Sequence, residues 1–409
     1  MMKHYNSYKD SGIEWIGEIP SHWEVKKLKY GINLINTKGI PQSSDVKISP
    51  ENVETGTGVC LSMYSDYEGE GLKFIYGDIL LNKLRIYLKK ILLTTYEGYS
   101  MGEMIVLRCK SDSLVNKYLF YSLFHDGLIQ LLNSQSNGVK LPRVSPEVII
   151  NSEYMFPPLS EQEHIVSYLD DKTTKIDELI QKKLRKIDLL KEYRTSLINT
   201  VVTKGLNPDV PMKDSGIEWI GEIPSHWILS RIGRHFFMER GRVISKEEIS
   251  DNLGEYPVYS SQTENYGVLG SINTFDFEGE YVTWTTDGAN AGTCFYRIGK
   301  FNTTNVCGLL SHKVSGRNNL KFLNYLLNLG TKGYVRVDIN PKLMNNMIGD
   351  IPFVSPPLSE QEHIVSYLDE KTSQIDKTID IEKKKIELLK EYRKSLISNV
   401  VTGKIKVTE

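Results

Sequence analysis

The stretch "PPLSEQEHIVSYLD" stands at residues 157–170 and again, letter for letter, at 356–369. Two prolines open each copy, and proline is tolerated only in the first turn of a helix, so a helix must begin here or not at all. Ser160 with Glu163, and Ser359 with Glu362, have the S-x-x-E spacing of a capping box, which predicts a helix start in both places. From Val166, alternating steps of three and four residues meet Leu169, Thr173, Ile176, Ile180, Lys183, Ile187, Leu190, Arg194, Leu197 and Val201. The second copy gives Val365, Leu368, Thr372, Ile375, Ile379, Glu382, Ile386, Leu389, Arg393, Leu396 and Val400. Eight of the eleven positions in each copy are apolar, a seam for pairing helices rather than the wider stripe of a helix lying on a globular core. Gly205 and Pro208 end the first helix and Gly403 the second.

A second segment, "KDSGIEWIGEIPSHW", is also repeated verbatim, at 9–23 and 213–227. The chain is therefore two copies of one unit, with spacers of 133 and 128 residues between the repeated segments that align only at scattered points. The reading divides the chain into a first domain at 1–156, a helix and linker at 157–211, a second domain at 212–355 and a second helix at 356–409. Each helix, about 42 residues, would be roughly 60 Å long. The simplest cover for two exposed seams is each other, and a two-fold relation between the copies makes the helices antiparallel. The aromatic segment with Trp15, Ile16, Ile19, Pro20 and Trp23 reads as packing at the start of each domain rather than as a ligand site, and His22, His226, His164 and His363 read as structural.

A chain of 409 residues with 40% hydrophobic and 25% charged residues fits two or three globular domains. The sequence offers no membrane span and no signal peptide, which places the protein in the cytoplasm. Cys60, Cys109, Cys294 and Cys307 form no C-x-x-C pair, so neither a metal knuckle nor a disulfide framework is expected. No phosphate-binding loop, dinucleotide fingerprint, H-E-x-x-H or G-x-S-x-G occurs, and no catalytic or metal-binding residue is assigned. The net charge of −1, with 17 basic and 17 acidic side chains over 1–156 and 14 and 15 over 212–355, lacks the basic excess of a free-standing nucleic-acid binder.

The spacers mix strand-like runs, such as 77–93 and 279–301, with helical ones, so the fold class is α/β: two mixed domains joined by two long antiparallel helices in a coiled-coil spacer. Polar loops over a rigid frame are the usual seat of recognition. In the first spacer they offer Lys83, Arg85, Tyr87, Lys89, Asn137, Lys140 and Arg143; in the second, Arg240, Arg242, Gln262, Asn265, Thr285, Thr286, Asn290, Thr303, Thr304 and Asn305. Arginine can reach guanine, Asn and Gln can reach adenine, and Lys and Thr can hold phosphates. These residues are the candidate DNA contacts.

The duplicated "IPSHW", the "PPLSEQEHIVSYLD" helix start and the "LLKEYRTSLI" and "LLKEYRKSLI" helix ends resemble the specificity subunit of type I restriction-modification enzymes over nearly the whole chain. The resemblance implies two target recognition domains that each read one half of a split, asymmetric site in double-stranded DNA, and two helices that fix the gap between the halves. It implies no catalysis in this chain. Two copies of a modification subunit would methylate adenine with S-adenosylmethionine, and restriction subunits would use ATP and Mg. Basic surface on those partners would compensate for the balanced charge here. The competing reading, a bivalent adaptor for protein or glycan ligands, draws on that same balance. If the spacers are modular readers, exchanging residues 228–355 for the spacer of a relative changes one half of the methylated motif and leaves the other, as genome-wide methylation mapping would record.

Overall fold

The computed structural model describes residues 4–138, 140–337 and 340–407. The chain forms two compact units: the residues up to Lys183 with those from Lys383 on, and Leu184–Glu382. The two long helices, Leu159–Lys204 and Leu358–Val401, are both cut by this division. Each unit thus contains the first part of one helix and the last part of the other, packed along their seams.

Helix one starts two residues earlier than a Ser160 cap would require. The Pro158 carbonyl accepts the amides of Glu161 and Gln162 at 2.9 and 3.0 Å, and Pro357 repeats this with Glu360 and Gln361. Ser160 and Ser359 therefore lie inside the first turn, and the expected capping box is replaced by a glutamine. Gln162 donates to the carbonyls of Pro157 (2.8 Å) and Ser113 (3.1 Å) and accepts the Val115 amide (2.8 Å). Gln361 likewise donates to Pro356 and accepts the Asn319 amide, both at 2.8 Å. Gly205 (φ +75°) and Gly403 (φ +73°) end the helices in the left-handed conformation that glycine adopts without strain.

Along the seam, Leu169, Ile176, Ile180 and Ile187 are buried, as are Leu368, Ile375, Ile379, Ile386 and Leu396. Leu190, Leu197 and Leu389 are only partly buried. A straight helix drifts by about 20° per heptad from a strict seam, and towards its end the buried side becomes Ile198, Val201 and Val202. These join the core of the second unit beside Ile220, Ile223 and Trp227. The antiparallel register is written in one duplicated ion pair: Asp177 with Arg393 (3.0 Å) in the first unit, and Asp376 with Arg194 (3.0 Å) in the second. Glu382, a polar seam position, is buried and bound by Lys186 at 2.9 Å.

The verbatim repeats touch each other. Glu161, in the first turn of helix one, accepts the Trp23 indole N–H at 3.1 Å, pairs with His22 at 2.8 Å and accepts the Tyr5 hydroxyl. Burial, and then the bond to Glu161, raises the Tyr5 phenol well above its ordinary value. Glu360 takes the same two partners from the other copy, Trp227 at 3.1 Å and His226 at 2.9 Å. The arriving end of the opposite helix closes the joint: Gly403 lies against Trp23 and Pro20, and Gly205 against Trp227 and Pro224, where a Cβ would crowd the indole at 3.0 and 3.2 Å. Each helix is pinned again at Asp170, by Lys117 and Tyr121 at 2.7 Å, and at Asp369, by Lys321 (3.1 Å) and Tyr325 (2.7 Å).

On this frame the first unit carries two four-stranded sheets. One has the order Ile32–Ile35, Met104–Cys109, Ile79–Asn82, Ile91–Leu93; the other has Lys38–Gly39, Gly71–Phe74, Gly98–Ser100, Lys47–Ile48. The second unit has a six-stranded sheet whose longest ribbon pairs Phe277–Thr285 with Cys294–Thr303. Within that ribbon the rings of Phe277 and Tyr281 lie 5.7 Å apart, and the register pair Gly279 and Gly299 has φ values of +122° and +96°, a backbone conformation that favours glycine.

Replacing Glu161 by Ala strands the buried Trp23 donor and should cost the first unit about 1–3 kcal/mol. Glu360→Ala should cost less, because the Glu360 side chain is 27% exposed against 8% for Glu161. Urea unfolding followed by tryptophan fluorescence checks the order.

Candidate nucleic-acid interface

In the first unit the structure brings together two segments far apart in sequence. The Asn137 and Arg143 backbones bond each other at 2.8 and 2.9 Å to close a loop, which is stitched to residues 83–85 by Arg85 N–H to Pro142 O (2.8 Å) and Val144 N–H to Lys83 O (3.0 Å). Arg85, Tyr87, Asn137, Lys140 and Arg143 are exposed on these loops. Lys83, half-buried, lies 3.4 Å from Glu103, which also binds Arg143. Lys89 turns inward instead: its ammonium donates to the Phe124 carbonyl at 2.8 Å and pairs with Asp126. Burial raises the Asp126 carboxyl, but the ammonium groups of Lys394 and Lys89 outweigh this and hold it below the usual range. The Lys89 ammonium is thus engaged within the unit.

The second unit builds the same closure from different side chains. Arg336 and Lys342 bond each other's backbone, both at 2.9 Å; Gly288 N–H donates to Pro341 O at 3.0 Å and Leu343 N–H to Thr286 O at 2.9 Å. Lys342 lies 3.7 Å from Asp287. Residue-type reasoning missed Arg336 and Lys342. The signal was present: Pro142-Arg143 and Pro341-Lys342 are separated by 199 residues, the same spacing as the duplicated helix starts.

Four candidate contacts in this unit are corrected by burial. Thr285, Thr286, Thr303 and Thr304 are all under 5% exposed. Threonine favours strands, and these hydroxyls shape the loops from beneath: Thr285 bonds the Asn290 carbonyl, Thr286 bonds Asp287 at 2.6 Å and Thr304 lies 3.2 Å from the Ser260 hydroxyl. Gln262 is half-buried with its amide on the Val268 carbonyl. Arg242 is held between Glu248 (2.6 Å) and Asp276 (3.0 Å), bonds that raise its already high pKa, Glu248 foremost. Arg240 is exposed with its Nε on Asn345 at 3.2 Å. Asn265, Asn290 and Asn305 remain exposed at loop tips. Thr304 N–H on Tyr259 O (2.8 Å) and Thr286 N–H on Val306 O (3.1 Å) draw these tips to one side of the unit, beside the Arg336–Lys342 loop.

Among the described residues no cluster of His, Cys, Asp and Glu could hold a metal ion. Two polar loop faces on duplicated frames define a two-headed recognition protein. Residues 20–189 and 224–391 each match the type I restriction modification DNA specificity domain, and the chain belongs to that family. A putative type I specificity subunit of Mycoplasma pneumoniae, S.MpnORF615P, is 37% identical over 223 residues, 54% of this chain and 81% of that protein. Another from the same organism, S.MpnORF507P, is 48% identical over 133 residues, 32% of this chain and 36% of the relative's own length. A chain from a solved structure addressing assembly and conformational transition of the type I R-M system superposes with a TM-score of 0.76 over 94% of this chain and 98% of that one; at 16% identity the likeness is one of fold.

Arg143→Ala and Lys342→Ala should each weaken DNA binding by the assembled complex and reduce the slope of log affinity against log salt by about 1. Lys89→Ala should lower stability and leave the slope unchanged. Binding titrations over a salt series measure both.

Proposed function

We propose that this chain is the DNA-reading subunit of a type I restriction-modification complex, each unit reading one half of a split, asymmetric site in double-stranded DNA. The observation that carries the reading is one loop closure built twice with unlike side chains. Arg143, Asn137 and Arg85 in the first unit stand where Lys342, Arg336 and Gly288 stand in the second. A duplicated frame with diverged polar tips suits the recognition of two different short sequences, because phosphate contacts can be shared while base contacts differ.

Catalysis in this reading rests with partners. Two copies of a modification subunit, carrying S-adenosylmethionine, would dock on the two repeated frames, as an internal two-fold favours two identical partners. Restriction subunits using ATP and Mg would complete the complex in the cytoplasm. The paired helices would set the number of unread base pairs between the half-sites. Family membership supports the DNA target over an adaptor for protein or glycan.

Co-expression of this chain with a modification subunit from the same genome, followed by mapping of methylated adenines, tests the proposal. A single motif of two unlike halves separated by a fixed gap is the expected result. An assembled complex that adds no methylation would overturn it.

A further inference from the structure

Among the described residues only four that are not glycine have a positive φ: Arg85 (+51°), Lys89 (+47°), Asn265 (+47°) and Tyr266 (+52°). All four lie on the loops described above. Left-handed backbone is unfavourable for residues with a Cβ, asparagine least and a bulky residue such as tyrosine most, and for the latter it persists only where the surroundings enforce it, which is why such residues concentrate at binding sites. Asn265 and Tyr266 are consecutive, and Tyr266 is 78% exposed, so burial of its ring cannot be what holds the conformation.

What holds it is an arginine. Arg297 is 6% exposed. Its Nη2 donates to the Tyr266 carbonyl at 2.6 Å and its Nε to the Thr283 hydroxyl at 3.2 Å. The guanidinium lies 3.6 Å from the centre of the Tyr259 ring and 4.5 Å from that of Phe295. Burying this cation between two rings, with a carbonyl and a hydroxyl as hydrogen-bond partners, is costly for a merely structural prop, since an apolar residue would fill the same space. The expense is explained if the geometry of the turn itself matters.

We infer that Asn265 and Tyr266 are the groove-entering tip of the second unit, and that Arg297 is the positioning residue that holds this tip in its strained conformation. The inference rests on the reading of this chain as a DNA-specificity subunit. Asn265 offers an amide that can bond adenine with both its donor and its acceptor. Tyr266 offers an apolar face and a hydroxyl to the adjoining thymine methyl or sugar-phosphate.

The test compares the wild-type complex with complexes carrying Asn265→Gly, Tyr266→Gly and Arg297→Lys, each assembled with the modification subunit. Glycine adopts the turn without strain, so Tm should stay level or rise in the first two variants. Affinity for the split site should nevertheless fall about tenfold or more, the loss that goes with one good base contact. The methylated motif should become degenerate in one half only. Arg297→Lys keeps the charge but cannot span the Tyr266 carbonyl and the Thr283 hydroxyl from one plane. It should loosen the same half of the motif while the other half stays intact, a pattern that general destabilisation would not produce. If the wild-type complex methylates a split motif and the two glycine variants match it in affinity and motif, the tip is elsewhere and the inference falls. A wild-type complex that methylates no split motif overturns the DNA-specificity reading instead.

Discussion

A carboxylate in the first turn of each long helix, buried at Glu161 and partly buried at Glu360, is the joint on which each unit depends. Removing a carboxylate from water is expensive unless its oxygens are bonded, and a helix N-terminus favours negative charge. Glu161 meets both conditions, with Trp23, His22 and Tyr5 around it. Glu360 has Trp227 and His226. The joint ties the N-terminal hairpin of each unit to the helix that leaves it, and the glycine ending the other helix packs on the same indole. The two repeated segments, roughly 130 residues apart in the chain, are therefore one contact surface. A change in either face would leave a buried donor or acceptor without its partner, and this gives a physical reason for residues as unlike as "SHW" and "SEQ" to recur together.

The paired helices follow the same economy. One Asp and one Arg per helix make two equivalent bridges, Asp177 with Arg393 in the first unit and Asp376 with Arg194 in the second. Exposed bridges contribute little energy by themselves. Their value lies in register, since a slip of one turn would break each of them. With the frame fixed in this way, the loops above it can differ without endangering the fold. They also tolerate strain, as the four left-handed residues on them indicate.

Balanced charge is consistent with these loops, because many of their cations are already engaged. Glu103 binds Arg143 and lies beside Lys83; Asp276 and Glu248 hold Arg242. In the proposed function, carboxylates in these positions would pre-orient basic side chains and lower the background attraction for any phosphate backbone, a device that favours discrimination over sheer affinity.

The helices, their antiparallel relation, the aromatic packing at the start of each unit and the family were legible in the sequence, because each rests on a local pattern: a period of three and four residues, a proline pair, a verbatim repeat. The loop contacts were legible only by residue type, and there the tertiary structure decided. Thr285, Thr286, Thr303 and Thr304 look like phosphate ligands in sequence, yet lie beneath the surface, where segments distant in the chain are bonded across them: Leu343 N–H to Thr286 O and Thr304 N–H to Tyr259 O. Lys89 turns to Asp126, a partner 37 residues away. Arg336 and Lys342 emerge as the counterparts of Asn137 and Arg143 only when backbone bonds align the two loops. Periodicity reports which face of a helix will be buried, since that depends on residues within a few turns. Whether a polar side chain ends at the surface depends on what other parts of the chain fold over it, and only the assembled unit sets that.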